Sequence, residues 1–418
     1  MARRKTNKEE VLEEAAEGKR EPLQKRLRDL DALFEAMSSQ YGIVAGRPTK
    51  SKAVMDRMTF HYIPTPIHAL NEALGGGLPA KGMVLIAGQP DSGKTGFLLN
   101  TIGERQQADP DFVALWIESE ESLDIESAKK LYKLDLARFY CVSTTDPKTN
   151  KQVFGAEAIG NAIIAAVREK DVDMCVINSM KMLIPMAETK KSLEEDTMAV
   201  QARFNSKFLK KAIPLIAQKE TCLCIVEHYS TDLNAGMYGN PNLIAGGKAI
   251  RYNNMVTLEF SSVKLEESDP VSPSEGMKVK IRVTKNHCVI DRNPRVAIDY
   301  CIEYGKGIER HVTTLQQLIE KGIITQRGAW LYLLDENGEK DKDMSWQGKN
   351  AFKADMIANP VKFDTLCSML DSIGTGAVHA LSEQEILELE EEEKNLEQEM
   401  SNAGVDRIEA EDDVVTSV

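Results

Sequence analysis

The chain has 418 residues, room for one large core with smaller appendages, and its 42% hydrophobic and 28% charged residues are ordinary for a globular protein. No run of 18 apolar residues occurs, and the charged start "MARRKTNKEE" has no apolar h-region, so we expect neither a membrane span nor a secretory signal, and a cytoplasmic protein. The net charge of −13 argues against nucleic acid until its distribution is considered: Leu381–Val418 hold 14 acidic against two basic residues, a net of about −12, which leaves the body almost neutral and free to carry basic surface.

In chain order, "PLQKRLRDLDALFEAMSSQYG" places Leu23, Leu27, Leu30, Leu33, Phe34 and Met37 on one face of a helix that stops near Gly42, and a linker rich in Lys, Arg and Ser follows. From 60 to 305 strand and helix patterns alternate. The expected strands are "GMVLIAG", "FVALWIES", "RFYCVST", "DMCVINS", "TCLCIVEH", "MVTLEFSSVKL", "MKVKIRVTK" and "RVAIDYCIEYG", with helices over 94–107, 155–170 and 194–219. Continuous apolar runs imply strands covered on both faces, so the fold class is α/β with a mostly parallel sheet. The last three strands have no helices between them and should be antiparallel. Pro214 should kink or split its helix. A smaller unit over about 306–375 contains Trp330, Trp346 and a turn at "DENGEK". The seven cysteines show no CxxC spacing and read as reduced core residues.

The segment "GQPDSGKT", Gly88 to Thr95, fits the phosphate-loop spacing GxxxxGK[ST] and stands between an apolar strand and an apolar helix, the context that motif requires. Gly88 and Gly93 let the backbone curl so that successive N–H groups, from Gln89, Pro90's neighbours, Asp91 and Ser92 through to Gly96, surround phosphate oxygens. Lys94 places a charge near the β and γ phosphates, Thr95 offers a hydroxyl to Mg2+, and the helix N-terminus adds its partial positive charge. "LWIESEESLD" puts Glu118, Glu120 and Glu121 just past a buried strand, where a carboxylate can deprotonate an attacking water or simply be solvated. "CIVEHYS" ends in Glu227 and His228; the histidine could sense a γ-phosphate or be a hydrogen-bonded strand end. "DMCVINS" ends in Asn178, where nucleotide-hydrolysing folds usually carry a metal-side carboxylate.

These pieces resemble the bacterial RecA recombinase family, including members carried by phages, over roughly residues 60 to 375. Besides the phosphate loop, the resemblance rests on "GMYGNPNLIAGGKAIRYNNMVTLEF", on "VKIRVTKNH" followed by "AIDYCIEYGKGI", on "GAWLYLLDENGEK" with "WQGKNAFKADMIANP", and on the acidic tail. It implies an ATPase core over 59–305 with two DNA-binding loops, an N-terminal helix and linker over 1–58 used in oligomerisation, a small α/β domain over 306–378 and an acidic tail over 379–418. It makes Glu120 the catalytic base, places Asp124 at the adenine, and sets His228 where the family has a glutamine that senses the γ-phosphate. Lys285 and His287 match two lysines that reach the ATP of the neighbouring subunit. The DNA loops fall at about 188–200 and 229–246; Met198 and Leu233 match residues that wedge between base triplets, and Arg203, Ser206, Lys210, Gly246, Gly247, Lys248 and Arg251 match positions near the phosphate backbone.

The chain departs from the family at several positions. Asn178 replaces a carboxylate, Ser127 replaces a tyrosine that stacks on adenine, and Ser230 and Asp232 replace basic residues, while Lys190 and Lys191 add charge to the first loop. The resemblance implies ATP and Mg2+ as cofactors and a helical homo-oligomer on single-stranded DNA that pairs with homologous duplex, with the acidic tail competing for basic surface. For a phage-borne member the compartment would be the host cytoplasm. Two alternatives stand beside this: a hydrolysis-deficient member acting as a nucleotide- and DNA-binding filament or mediator, and a hexameric helicase or circadian-clock-type ATPase on the same core.

Overall fold

A computed structural model describes residues 23–144, 155–169, 171–189, 198–231, 242–244, 248–266, 271, 274–289, 295–335 and 338–373. The expectations for the extreme N-terminus, for Lys190, Lys191, Asp232, Leu233, Gly246 and Gly247, and for the acidic tail lie outside these residues, as do the side chains of Met198 and Ser230. Two compact units divide the chain, Met1–Phe60 and His61–Val418.

The first unit contains α1 (Leu23–Tyr41) and α2 (Lys52–Met58). Asp31 of α1 accepts from Arg47 Nε at 2.8 Å and from Lys50 Nζ at 2.7 Å, which ties the linker back onto the helix. The apolar stripe expected on α1 is present and uncovered: Leu23, Leu30, Leu33 and Phe34 are all exposed. Ser51 caps α2 by accepting from Val54 N at 3.3 Å.

In the second unit β1 (Tyr62–Ile63) pairs antiparallel with β2 (Leu78–Pro79) around α3 (His68–Leu74). There follow β3 (Met83–Gly88), α4 (Lys94–Ala108), β4 (Ala114–Glu118), α5 (Ile125–Tyr132), β5 (Phe139–Ser143), α6 (Ala156–Glu169), β6 (Met174–Asn178), α7 (Met186–Thr189), α8 (Met198–Lys219) and β7 (Cys222–Thr231). Next come β8 (Asn242–Ile244), α9 (Lys248–Asn253), β9 (Val256–Val263), β10 (Gly276–Asn286), β11 (Val296–Glu303) and β12 (Gly307–Glu309). The main sheet runs in the order β12-β11-β10-β9-β3-β7-β6-β4-β5, with β8 paired to β7. The strands from β9 through β3, β7, β6 and β4 to β5 are mutually parallel, and β10, β11 and β12 add antiparallel pairs at the other edge. This is the mostly parallel α/β sheet with an antiparallel flank that the sequence pattern predicts.

Both faces of the parallel part are covered, as its unbroken apolar strands require. On one face Val84, Ile86, Trp116, Val176 and Val226 pack with Phe97, Leu98 and Ile102 of α4. On the other Leu85, Ile117, Ile177 and Ile225 pack with Ile159 and Ile163 of α6 and Phe208 and Leu209 of α8. Each fully buried side chain of this kind contributes about 1.5–3 kcal/mol. The α8 helix contains Pro214 yet runs unbroken from Met198 to Lys219, so the expected split does not occur. Ala212 and Ile216, on either side of the proline, are buried in the second cluster, and that packing holds the helix through the lost hydrogen bond.

The C-terminal part has α10 (Arg310–Glu320), an antiparallel sheet of β13 (Ile324–Arg327), β14 (Trp330–Leu334) and β15 (Lys340–Gln347), then α11 (Gly348–Ala358) and α12 (Pro360–Ile373). It has its own apolar cluster, with Leu315, Leu318, Leu331, Trp346, Phe352 and Leu366 at its centre. The "DENGEK" turn joins β14 to β15, where Gly338 N donates to Asp335 O at 2.9 Å.

Candidate functional site

The carboxyl ends of β3, β7, β6 and β4 form one rim of the sheet. Gly88 and His228 are register partners across β3 and β7, and Glu118 and Asn178 are partners across β4 and β6. Loops leaving this rim converge, which is where parallel α/β sheets bind ligands.

The phosphate loop leaves β3 at Gly88 and enters α4 at Lys94. Gly93 caps α4 with φ 90°, a left-handed conformation that favours glycine. Gly88 has no room for a side chain, since a Cβ there would lie 2.3 Å from Phe260 O. Gly96 and Gly103 present the near face of α4 to Tyr132 of α5: a Cβ at Gly103 would lie 1.9 Å from Tyr132 O. Lys94 is buried, and its Nζ donates to Gly88 O at 3.0 Å, Gln89 O at 2.6 Å and Ser92 Oγ at 3.3 Å. Burial pushes its pKa down to about 8, with Glu120 and Asp91 opposing that shift. A buried ammonium held only by neutral oxygens suits an anion, so Lys94 and the side-chain-free cradle at Gly88 fit a polyphosphate. Gln89, Pro90 and Asp91 are exposed, Ser92 is buried, and Thr95 is half-buried in the first turn of α4.

Glu120 and His228 meet, with His228 Nε2 2.9 Å from Glu120 Oε1. Glu120 follows the end of β4 and His228 lies within β7, and both are partly exposed. His228 Nδ1 is buried without a partner among the described residues. The strand carrying His228 continues through Tyr229 to Thr231 and pairs with β8, so both ends of the segment 229–246, expected as the second DNA loop, are paired strand, and His228 stands immediately before it.

Glu118 belongs to β4 itself, which corrects the expectation that all three glutamates lie past the strand. It is buried and accepts from four donors. Its Oε2 receives Trp116 Nε1 at 2.8 Å and Asn178 Nδ2 at 3.2 Å; its Oε1 receives Glu120 N at 3.2 Å and Ser122 N at 3.4 Å. Ser119 Oγ in turn donates to Asn178 O at 3.0 Å and Ser179 O at 2.7 Å. Asn178, proposed for the metal side with Thr95, is buried and thus held on the same rim.

Asp124 is the N-cap of α5, accepting from Glu126 N at 3.1 Å, from Ser127 N at 3.3 Å and from Ser127 Oγ. The Ser127 hydrogen bonds hold its pKa below the usual carboxylate range. Lys285 Nζ donates to Arg251 O at 3.1 Å and Tyr252 O at 3.3 Å, so it caps the C-terminus of α9. His287 is exposed, and its pKa is lowered by desolvation and by Lys285.

Among the DNA-binding candidates, Arg203, Ser206 and Lys210 project from one exposed face of α8, at spacings of three and four residues. Lys248 and Arg251 lie on α9, half-buried. Met198 starts α8.

Two buried groups escaped the sequence reading. Alternation along β7 sends Glu227 to the face opposite His228, beside Leu223 and Ile225, where both carboxyl oxygens are buried with no hydrogen-bond partner among the described residues. Burial pushes its pKa up to about 8, Glu120 adds to the shift and Lys181 opposes it. On β9, Glu259 accepts from Tyr229 Oη at 2.9 Å, Arg282 Nη2 at 3.0 Å and Thr284 Oγ1 at 3.1 Å. Tyr229 thereby reaches across the end of β3, since β3 lies between β7 and β9. The sequence signal for both was a charged residue inside an otherwise apolar run.

The fold and this rim define a phosphate-loop nucleotide-binding protein of the parallel α/β class. A family profile described as the RecA N-terminal domain matches residues 35–309. The chain is 31% identical over 270 residues to a protein RecA of Geobacter sulfurreducens, covering 64% of this chain and 74% of that one. It is 28% identical over 342 residues to a protein RecA of Chloroherpeton thalassium, covering 82% and 88%, and 29% identical over 376 residues to one of Cytophaga hutchinsonii, covering 89% and 97%. The chain belongs to the RecA recombinase family. No helix among the described residues is long and apolar enough to cross a membrane.

Proposed function

We propose that the chain is a DNA-dependent ATPase that assembles on single-stranded DNA as a helical homo-oligomer and pairs it with homologous duplex. The observation that carries this is the junction at β7: His228 touches Glu120 at 2.9 Å on one side and continues into the paired strands β7 and β8 on the other. A nucleotide state felt at His228 would thereby pass directly into the segment 229–246, the second DNA loop of this reading.

Gly88 to Gly96 and Lys94 would hold the polyphosphate, with Thr95 and Asn178 on the metal side, where Mg2+ would neutralise charge on the phosphates. Glu120 is placed to accept the proton of an attacking water, and its bond to His228 restrains it until that histidine moves. His287, exposed just past β10, and Lys285, once released from the α9 carbonyls, would reach a neighbouring subunit's nucleotide, and the exposed apolar stripe of α1 suits burial against another copy. Arg203, Ser206, Lys210, Lys248 and Arg251 supply cations and donors for a sequence-independent backbone contact. The C-terminal segment with its own core acts as a small domain, and the compartment is the cytoplasm.

The test is ATP hydrolysis with and without single-stranded DNA, beside strand exchange. Stimulated turnover that Glu120→Gln lowers by ~100-fold or more, with nucleotide binding retained, supports the reading. Binding of ATP and DNA with no turnover in the natural protein would instead make it a hydrolysis-deficient filament former, the reading that Asn178 favours.

A further inference from the structure

We propose that Glu118 is the positioning residue of the hydrolytic site: it fixes the Asn178 amide so that Oδ1 is the atom offered to magnesium-bound water, and it supplies from the neighbouring strand the negative charge that position 178 lacks. This rests on the nucleotide-hydrolysis reading above. Glu118 and Asn178 are direct partners in the β4–β6 register, and Glu118 Oε2 receives Asn178 Nδ2 at 3.2 Å. A carboxylate accepts only, so the amide end facing it is the NH2, and the carbonyl end is left to accept elsewhere. The metal-side residue is therefore an oriented acceptor backed by an anion.

The same carboxylate sets the base. Its Oε1 receives Glu120 N and Ser122 N at 3.2 and 3.4 Å, so it shapes the turn that carries Glu120 to His228. Its remaining contact, Trp116 Nε1 at 2.8 Å, fixes its own rotamer from the apolar cluster below. Four donors converge on one buried group, and a carboxylate accepts at both oxygens and so takes all four. A glutamine of the same shape turns one end into a donor and faces either the backbone pair or the Trp116–Asn178 pair with N–H against N–H. Burying an anion is unfavourable without such compensation, and a strand end has no need of one for packing alone. Ser119, which donates to the carbonyls of Asn178 and Ser179, holds the backbone of β6 in the register that this pairing needs.

The experiment compares the full chain with E118Q, N178D and the double variant E118Q/N178D in two readouts: melting without nucleotide, and the Mg2+ concentration that half-saturates binding of a fluorescent ATP analogue. E118Q should raise the half-saturating Mg2+ by ~10- to 100-fold, as loss of an outer-shell partner does, with far less change in analogue binding in EDTA. N178D should melt below the natural protein, because it sets two carboxylates in contact, and the double variant should melt above N178D and need less Mg2+ for half-saturation than E118Q. An E118Q protein that melts lower but keeps its Mg2+ dependence overturns the proposal, as does an N178D protein that melts unchanged and binds Mg2+ more tightly. A natural protein that binds no analogue at any Mg2+ concentration instead overturns the nucleotide reading, and the proposal falls with it.

Discussion

Glu227 offers a direct physical test of the rim's far face. Its carboxyl is completely buried, has no hydrogen-bond partner among the described residues, and is pushed up to about 8 from 4.5. The folded chain thus retains a proton that the unfolded chain releases above pH 4.5. Stability from this group is intact at or below the unfolded pKa and declines as pH rises toward 8, where the native carboxyl finally ionises. From pH 5 to pH 8 the decline is roughly 3 kcal/mol. Glu227→Gln has the same shape, buries the same kind of neutral polar group, and has no proton to lose. The two proteins should differ by ~1 kcal/mol or less near pH 5, and the glutamine protein should gain roughly 3 kcal/mol relative to the natural one by pH 8. For a unit of this size that is on the order of 5 °C in melting temperature. Thermal melting of both proteins at pH 5, 6, 7 and 8 and constant ionic strength measures it. A constant offset between the two curves would refute the reasoning, because it would mean that Glu227 titrates alike in the folded and unfolded chains.

Other expectations follow from the same coordinates. Gly103→Ala drives a methyl to 1.9 Å from Tyr132 O, so α5 must shift away from α4; melting should fall by the equivalent of ~1–3 kcal/mol, and an unchanged melting temperature would show that the helices slide freely. Tyr229→Phe removes the donor that spans the end of β3 to Glu259 and should destabilise by ~1–2 kcal/mol in urea titrations. Lys94→Met keeps the stem and removes the ammonium, so calorimetry should show ATP binding lost while the far-ultraviolet spectrum is retained; binding at natural affinity would detach Lys94 from the phosphates.

Much of this architecture was legible because its signals are local. The phosphate loop has its geometry written into spacing: Gly88 and Gly93 adopt positive φ and Lys94 opens α4. The apolar runs that predicted doubly covered strands became β3, β4, β6 and β7, each buried along the sheet interior. What the sequence concealed depends on contacts between distant segments. Glu118 is two residues from Glu120 and looks like the same acidic cluster, yet its place inside β4 and the pairing with β6 make it a buried acceptor, while Glu120 lies past the strand and reaches the rim. Glu227 and His228 are adjacent in sequence and face opposite sides of the sheet because side chains alternate along β7. Pro214 suggested a kinked or split helix because propensity sees the missing N–H, whereas burial of Ala212 and Ile216 keeps the helix from splitting there.

The asparagine at 178 shows why a motif position is a weak unit of inference. Read along the chain, it is a missing charge. Across the sheet, Asn178 is the middle of a three-part contact in which its side-chain amide donates to Glu118 and its backbone carbonyl accepts from Ser119 Oγ. Coulomb interaction depends on distance, and a carboxylate one strand over is only a few ångströms farther from any ion at the rim. Restoring an aspartate at 178 without changing Glu118 would therefore add a second anion to a site that already has one. The sign of that substitution's effect is set by the neighbour, and it is opposite to the sign that the motif alone suggests.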